Sequence, residues 1–539
     1  MDIVDILKLK IANSLAKLGY EVALSDIIIE KSKDETHGDY ASNVAMKFAR
    51  HFAKSPRDVA FLIIANIDMA DIDKIEVAGP GFINFFMKHD SLQAIVKKII
   101  DLDDNYGRSP RKNLKVNVEF VSANPTGLLH IGTARGAAIG DSICRILDFA
   151  GYDVTREYYI NDAGNQITNL ALSIQARYRQ ALGLEGVIPE DGYEGQDIID
   201  IAKQIKDEIG DRALYMENAI EFFKEKGMKL ELDRIVDDLT TFRVRFDVFS
   251  SEKAIRANDA IEKEIAYLKE YTYVQDGAVF LKTSAFLDDK DRVIVKSNGE
   301  YTYFMPDICY HVNKMARGYD FIIDVLGADH HGYINRMKSA LMMHGYKEDA
   351  LHVELIQMVR FLKDGQEFKA SKRKGDAITL KDICEEVGVD AMRYFFAMRA
   401  ASTHLDFDMN LAIEQSSNNP VFYAQYAHAR LCSILEQGKD ITVDETGRML
   451  AESSEINLLK HLVSFTNVVS DAAKEKAPYK ITNYIRALAE LVHVFYNECR
   501  VIDRENPQLC GSRLALVMAS KIVLKNSLAL IGVSAPTHM

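Results

Sequence analysis

The clearest hydrophobic pattern in the chain lies within residues 114–151. In its first part every second residue is apolar, namely Leu114, Val116, Val118 and Phe120. This two-residue period predicts a β-strand, and the turn-favouring residues at 122–127 predict a tight loop after it. Helical spacing then takes over at Ile139, Ile143, Leu147 and Ala150, and Gly151 stands where a helix would end. The stretch therefore predicts strand, loop and helix, the first unit of a doubly wound parallel sheet.

The same pattern returns at 321–345, where an apolar strand, a loop containing glycine and an amphipathic helix are predicted. Another buried strand is predicted within 352–362. Residues from about 165 to 285 are helical in pattern and strongly charged, which predicts an insertion between the two halves of the sheet. Asn298-Gly299 predicts a hairpin turn. In such sheets ligands bind outside the carboxyl ends of the strands, where helix N-termini present N–H groups to phosphate.

With 539 residues, the chain is too long for one hydrophobic core. We expect three domains: an α/β domain at 1–110, a doubly wound, Rossmann-like domain at 111–405 that carries the helical insertion, and an all-α bundle at 406–539. A polar, turn-rich stretch at 101–113 joins the first two, and nearly every segment after 405 has helical spacing. The predicted fold class is therefore multidomain α/β plus all-α.

Composition narrows the functional classes. With 48% hydrophobic and 27% charged residues, the chain resembles an ordinary soluble protein, and no apolar run is long enough to suggest a membrane partner. The net charge of −13 is unfavourable for RNA binding unless positive charge is concentrated locally. The six cysteines are scattered without a CxxC pair. Their spacing argues against structural zinc and predicts reduced thiols in the cytoplasm.

A nine-residue motif fills the predicted loop. Residues 125–133, PTGLLHIGT, resemble the HIGH motif of class I aminoacyl-tRNA synthetases, and the longer run 119–136 resembles the arginyl-tRNA synthetases. A lone histidine at a helix start is more often structural, but the whole motif in this context favours catalytic roles for His130 and Gly132. Thr133 departs from the HIGH motif, which has a second histidine at this position. The ATP-binding residues implied in this loop are Pro125, Thr126, Gly127, His130, Gly132 and Thr133.

Residues 368–375, FKASKRKG, resemble the second class I motif, KMSKS, with Ala370 in place of methionine. A basic run alone is usually a solvated loop, but its position after a buried strand favours catalysis. Amino-acid activation needs no general base, because the substrate carboxylate itself attacks ATP and charge grows on the departing pyrophosphate. Lys369 and Lys372, on the loop 369–373, are therefore predicted to be catalytic, with Ser371 also binding ATP. Mg²⁺ is expected to accompany ATP, held by the phosphates rather than by protein ligands.

Substrate choice is predicted from charge. A guanidinium is planar and always cationic, and a carboxylate matches its geometry. Glu119 near the end of the first strand and Asp307 after the hairpin are candidate partners, and Pro306 replaces the usual arginine of the family's Tyr-x-x-Arg-Asp run. By resemblance, the arginine-binding positions are Glu119, Asn124, Tyr303 and Asp307. The glutamyl-tRNA synthetases share PTGxLHxG but need a cationic residue close to the motif, and none lies between Val116 and Leu129.

The resemblance extends to both ends of the chain. Residues 37–43 and 78–84 are similar to the N-terminal domain of arginyl-tRNA synthetases, which contacts tRNA, and 417–430 resemble the start of their anticodon-binding domain. It implies ATP-dependent ligation of L-arginine to its cognate tRNA through an arginyl-adenylate, in protein translation, by a monomer. The tRNA-binding residues implied are Asn419, Tyr423, Tyr426 and Arg430. Two alternatives stay open: a glutamyl-type synthetase, and an RNA-binding relative that has lost catalysis.

Overall fold

An antiparallel sheet and four helices form the first part of the chain in the computed structural model, which describes residues 3–32, 37–257, 259–368 and 379–539. The helices are α1 (Ile3–Lys17), α2 (Val44–Phe48), α3 (Pro56–Ala65) and α4 (His89–Leu102). The strands are β1 (Ile29–Lys31), β2 (Tyr40–Ser42), β3 (Ile72–Ala78) and β4 (Phe82–Met87), paired in the order β1-β2-β4-β3. Ser55 caps α3 by accepting the Asp58 N–H at 3.2 Å, and Pro56 suits the first helical position because its missing N–H is not needed there.

The second part of the chain contains eleven strands among the described residues. They are β5 (Lys115–Glu119), β6 (Asp153–Ile160), β7 (Val248–Ser251), β8 (Thr272–Gln275), β9 (Ala278–Leu281), β10 (Arg292–Val295), β11 (Phe321–Gly327), β12 (Leu351–Ile356), β13 (Val359–Lys363), β14 (Gln366–Glu367) and β15 (Leu405–Asp408). Five of them pair in parallel in the order β12-β11-β5-β6-β7. This order confirms the predicted doubly wound sheet. Winding reverses between β5 and β11, so the loops after these two strands flank the crevice where ligands bind in such folds.

The helices of this part cover the sheet and extend beyond it. They are α5 (Ile131–Phe149), α6 (Asn165–Ala181), α7 (Gln196–Ile209), α8 (Ala219–Thr241), α9 (Glu252–Ile255), α10 (Ala260–Tyr267), α11 (Phe304–Ala316), α12 (Ile334–Met343), α13 (Leu380–Val387), α14 (Val389–Ala397) and α15 (Met409–Ile413). Helix α5 is buried along most of its length. It packs closely on the end of β5 because Gly140 has no side chain: a Cβ there would lie 2.4 Å from Cγ of Phe120.

Two intervals differ from the sequence-based expectation. The chain at 165–285 is helical through α8 but then returns to the parallel sheet as β7 and continues into the antiparallel sheet β10-β9-β8. The single strand predicted at 352–362 is two strands, because the chain leaves the parallel sheet after β12 and β13 pairs with β14 and β15 instead. Hydrophobic periodicity detects extended backbone but not the sheet it joins. At Asn298-Gly299 the predicted turn forms, with Gly299 at φ 86° and one bridge between Val295 and Tyr301.

Five helices complete the chain: α16 (Pro420–Gln437), α17 (Ser453–Val463), α18 (Phe465–Glu475), α19 (Tyr479–Glu498) and α20 (Pro507–Leu530). Helix α20 is buried nearly all round, which is typical of a helix at the centre of a bundle. The first part of the chain docks here, since α4 packs on α17 and α20 and the Tyr106 hydroxyl donates to the Leu462 carbonyl at 3.0 Å. No helix within the described ranges is both long and apolar enough to cross a membrane.

Candidate active site

The loop between β5 and α5 ends at His130, the N-cap residue of α5. The Gly132 N–H donates to His130 Nδ1 at 3.0 Å, and the Thr133 hydroxyl donates to the His130 carbonyl at 2.7 Å. His130 and Gly132 are exposed, while Pro125 is buried and Thr126 and Gly127 are half-buried. The open N-terminus of α5 can therefore offer N–H groups and the His130 ring to phosphate.

Strained backbone begins the same loop. Val121 has φ 69° and Ser122 has φ 40°. A positive φ is uncommon for any residue other than glycine and strained for a β-branched residue such as Val121. The strain is held in place by two hydrogen bonds of Ser122: its hydroxyl donates to the Glu119 carboxylate at 2.9 Å and accepts the Tyr159 N–H at 3.0 Å. The turn thus fixes the Glu119 carboxylate at the carboxyl end of β5.

Glu119 takes part in a buried polar network built by α11. Asp307, Tyr310, His311 and Lys314 are spaced i, i+3, i+4 and i+7, so they lie on one face of the helix. Lys314 is fully buried; its ammonium forms an ion pair with Glu119 and another, at 2.9 Å, with Asp324 of β11. Two carboxylates and one ammonium are thereby held beneath the crevice.

His311 extends this network. Its Nε2 lies 2.7 Å from Asp324 Oδ2, and its Nδ1 lies 2.7 Å from the Asp307 carbonyl. Both partners are acceptors, which favours the doubly protonated ring. Burial disfavours that charge, but the Asp324 carboxylate outweighs it and raises the pKa of His311. Burial likewise opposes the charge on Lys314, and Asp324 together with Glu119 overcomes it and raises the pKa of the ammonium.

Glu157 of β6 anchors the neighbouring side of the crevice. Its carboxylate accepts hydrogen bonds from Asn117, Ser250 (2.6 Å), Tyr310 (2.8 Å) and Arg317 (2.7 Å). Burial raises the pKa of Glu157, but Lys314 and these donors lower it by more. A buried carboxylate with four donors fixes the side chains around it, so we assign Glu157 to holding β6, β7 and α11 together.

Asp307 has a different environment, since its carboxylate forms no ion pair within the described residues. It accepts a hydrogen bond from the Tyr333 hydroxyl. Burial raises the pKa of Asp307 to about 6, although the Tyr333 hydrogen bond and the charge of His311 act against this shift. The negative charges of Glu119 and Glu252 act in the same direction as burial. The same three carboxylates, together with burial, raise the pKa of the nearby Tyr159 hydroxyl. The crevice therefore combines several carboxylates with the buried cations Lys314 and His311, and the Asp307 carboxylate is one that forms no ion pair within the described residues.

The other predicted arginine-binding residues lie at the rim. Tyr303 precedes α11 and is 87% exposed, and Asn124 is exposed and donates to Gln166 at 2.8 Å. Pro306 is the third residue of α11, where a backbone N–H would have no acceptor within the helix. The proline that replaces the family's usual arginine is therefore compatible with the start of this helix.

The second motif, with Lys369, Ser371 and Lys372, lies outside the described residues. The chain that follows it is close to the first motif: Thr379 forms an antiparallel bridge with His130, and the Leu380 N–H donates to the Leu129 carbonyl at 2.8 Å. Residues 379–380 are thus hydrogen-bonded to the loop that carries His130.

The four residues predicted to bind tRNA separate into two groups. Asn419 stays a prediction: it is 3% exposed, and its side chain caps α16 by accepting the Val421 N–H at 3.2 Å and donating to the Ala412 carbonyl at 3.1 Å. The other three belong to an aromatic and cationic cluster on α16 and α19, composed of Tyr423, Tyr426, Arg430, His493 and Tyr496. Within it the Arg430 guanidinium lies 3.7 Å from the centroid of the Tyr496 ring and donates to the Tyr426 hydroxyl at 2.9 Å.

Sequence reasoning missed most of the crevice network, including Tyr159, Lys314, Asp324 and Tyr333. A signal was available for two of them. Lys314 continues a polar stripe on an otherwise apolar helix, and Asp324 interrupts an apolar strand, so each predicts a buried partner of opposite charge. Tyr159 and Tyr333 carry no such signal. Across the described ranges no cluster of side chains suits a bound metal ion.

A doubly wound sheet with PTGLLHIGT at the N-terminus of its first helix defines a class I aminoacyl-tRNA synthetase, and residues 95–433 match the family described as tRNA synthetases class I (R), catalytic domain. Residues 5–87 match the arginyl tRNA synthetase N terminal domain, and residues 424–539 match the DALR anticodon binding domain. The chain belongs to the arginyl-tRNA synthetase family.

Individual relatives are similar to this chain along nearly its whole length. The arginine–tRNA ligase of Bacillus subtilis (strain 168) is 49% identical over 548 residues, covering 99% of each chain. That of Bacillus cereus (strain ATCC 10987 / NRS 248) is 50% identical over 535 residues, covering 97% of this chain and 96% of the relative. The solved Thermus thermophilus arginyl-tRNA synthetase superposes with a TM-score of 0.78 over 100% of both chains at 21% identity, which shows a common fold.

Proposed function

We propose that the chain ligates L-arginine to its cognate tRNA with ATP, through an arginyl-adenylate, in protein translation. The observation that carries the substrate assignment is Asp307, a half-buried carboxylate with no ion-pair partner in the described parts of the chain. A guanidinium placed between Asp307 and Glu119 would neutralise the Asp307 carboxylate with paired N–H donors. Glu119 keeps free lone pairs for this, because each of its oxygens has one donor, Ser122 or Lys314. Asn124 and Tyr303 at the rim would contact the amino-acid end of the substrate.

The first step would join arginine to the α-phosphate of ATP. The arginine carboxylate attacks the α-phosphorus, the bond to the bridging oxygen breaks, and pyrophosphate leaves carrying the electron pair with its Mg²⁺. His130, through its distal ring nitrogen, and the N-terminus of α5 are placed to stabilise the phosphates, while Gly132, whose N–H donates to His130 Nδ1, leaves room for them beside the backbone. Pro125, Thr126, Gly127 and Thr133 would shape the loop, and Lys369, Ser371 and Lys372 of the second motif would supply further charge.

The 2′-hydroxyl of the terminal adenosine of tRNA, the one that class I enzymes use, then attacks the arginyl carbonyl carbon. The bond to the phosphate oxygen breaks, AMP leaves with the electron pair, and the hydroxyl proton passes to the AMP phosphate or to water. We assign tRNA contacts to the domain at 1–110, the catalytic domain at 111–405 to both chemical steps, and the domain at 406–539 to the anticodon. Tyr423, Tyr426 and Arg430 form a surface suited to stacking unpaired bases beside a cation. We propose a monomer in the cytoplasm, consistent with six free cysteines.

The test is charging of total tRNA with each amino acid in turn, together with ATP–pyrophosphate exchange. We expect ligation of arginine alone among the twenty, with discrimination against citrulline, its neutral isostere. Charging with glutamate would assign the chain to the glutamyl branch, and tRNA binding without exchange would identify a relative that has lost catalysis. Omission of ATP is the control for non-enzymatic attachment.

A further inference from the structure

A second polar cavity, of about 520 Å³, lies where the three parts of the chain meet. It is lined by the end of the first part, the C-terminal half of α5, the middle of β6, the segment after α8, and α20. Five cationic side chains face it: Arg108, Arg145, Arg156, Arg245 and Lys525. Only two carboxylates do so, Asp104 and Asp148, which leaves an excess of three positive charges in a chain of net charge −13.

Arg156 has an unused hydrogen-bond donor beside this cavity. Its side chain is 9% exposed, yet its Nε has no hydrogen-bond partner within the described residues. The nearest carboxylate oxygens, of Asp247 and Asp141, are 3.6 and 3.9 Å from its nitrogens, beyond hydrogen-bond distance. A buried guanidinium with unused donors is unfavourable unless an acceptor reaches it.

The carboxylates near the cavity already pair with three of its cations, Arg108, Arg145 and Lys525. Asp141 accepts hydrogen bonds from Arg145 at 2.6 Å and from Arg393, and Asp148 is shared by Arg108 at 3.0 Å and Arg111 at 2.9 Å. Lys525 pairs with Asp104 at 2.7 Å. Arg245 is exposed and forms no ion pair with any residue that the structure describes. The protein's own acids therefore leave two donor groups at the cavity, the Arg245 guanidinium and the Arg156 Nε–H, without an acceptor among the described residues.

We propose that this cavity binds a phosphate-bearing anion. Guanidinium groups match phosphate oxygens in pairs, and the volume accommodates a small polyphosphate. The site is separate from the adenylate site, because Gly132 and Asp148 lie near opposite ends of α5, roughly 24 Å apart at the rise of a helix. An anion here would contact all three parts of the chain at once. Binding of the anion would therefore stabilise the arrangement of the three parts without any contact between the anion and the crevice.

The experiment titrates inorganic tripolyphosphate into the full-length, tRNA-free protein by calorimetry at low salt. Arg245→Gln and Lys525→Gln remove cations from the cavity, and both side chains are exposed enough for the fold to survive. Lys229→Gln is the matched control: like Lys525 it pairs with an aspartate at 2.7 Å, but it lies on α8 away from the cavity. We expect a saturable site whose dissociation constant rises roughly tenfold in each cavity variant and stays unchanged in the control. ATP–pyrophosphate exchange should be unchanged in all three variants.

The phosphate could be free or part of RNA, and a parallel measurement of tRNA affinity distinguishes these sources. If tripolyphosphate does not bind but tRNA affinity falls in both cavity variants and not in Lys229→Gln, the ligand is a phosphate of the tRNA backbone. If tripolyphosphate binds equally to all variants, it occupies the crevice alone, and the proposal is wrong. Absence of tripolyphosphate binding together with unchanged tRNA affinity would also overturn it.

Discussion

Replacing Asp307 by asparagine should separate the function of this carboxylate from its effect on stability. Asparagine has the same shape and can still accept the Tyr333 hydrogen bond, but it carries no charge. The loss of one charge-assisted partner of the guanidinium should raise the KM for arginine roughly 10- to 100-fold at pH 7. Discrimination between arginine and citrulline should fall by a similar factor, because the lost interaction is the one that citrulline cannot make.

The pH dependence provides a second signature. With a pKa of about 6, Asp307 is mostly ionised at pH 7 and mostly protonated at pH 5. If only the ionised form binds arginine well, the parental KM should rise roughly tenfold between pH 7 and pH 5. Asp307→Asn has no such group, so its KM should be nearly constant over this range. Aminoacylation with saturating tRNA and ATP measures both profiles.

Stability should change in the opposite direction to function. Because burial raises the pKa of Asp307 above 3.8, the folded protein holds a proton that the unfolded chain releases between about pH 4 and pH 6, so this carboxylate destabilises the fold as pH rises through that window. A shift of about two pKa units corresponds to roughly 3 kcal/mol. Asp307→Asn should therefore melt at a higher temperature than the parent at pH 7, with the gain vanishing near pH 4.

The matched control is Asp276→Asn, at an exposed turn between β8 and β9. Its KM, pH profile and melting temperature should equal those of the parent. The reasoning would be refuted if Asp307→Asn kept the parental KM at pH 7, or if its KM still rose tenfold on acidification. Loss of activity with a lower melting temperature at pH 7 would show instead that Asp307 is a structural acid.

Three further substitutions test the rest of the site. Glu119→Gln should raise the arginine KM roughly 10- to 100-fold; an unchanged KM would leave Glu119 as the partner of Lys314 alone. Arg430→Gln should weaken tRNA binding and reduce the slope of log affinity against log salt by about one, whereas Lys229→Gln should not; equal slopes would remove Arg430 from the interface. Lys372→Ala should slow ATP–pyrophosphate exchange about 10²–10³-fold with little change in ATP affinity; full activity would rule out a catalytic role for this lysine.

The sequence predicted the sheet and its first loop because β5 and α5 are organised by local patterns. Alternating apolar residues, a tight turn and helical spacing follow one another without long-range information. The position of Lys314 could not be derived in this way, since its partner Glu119 lies 195 residues earlier in the chain. Asn419 shows the converse: the motif at 417–430 implied a tRNA-binding residue, but only the three-dimensional contacts reveal that its side chain caps α16.

The hydrogen bond from the Gly132 N–H to His130 Nδ1 also fixes which nitrogen carries the proton. A nitrogen that accepts a hydrogen bond must present its lone pair, so the proton resides on Nε2, which is then the ring's one donor. The side chain therefore performs two separable tasks, one per nitrogen. Asparagine at position 130 can reproduce the acceptor that caps the helix, whereas glutamine can reach further and reproduce the distal donor. Comparing the two replacements would reveal whether activity depends on this histidine as the cap of α5 or as the hydrogen-bond donor at Nε2.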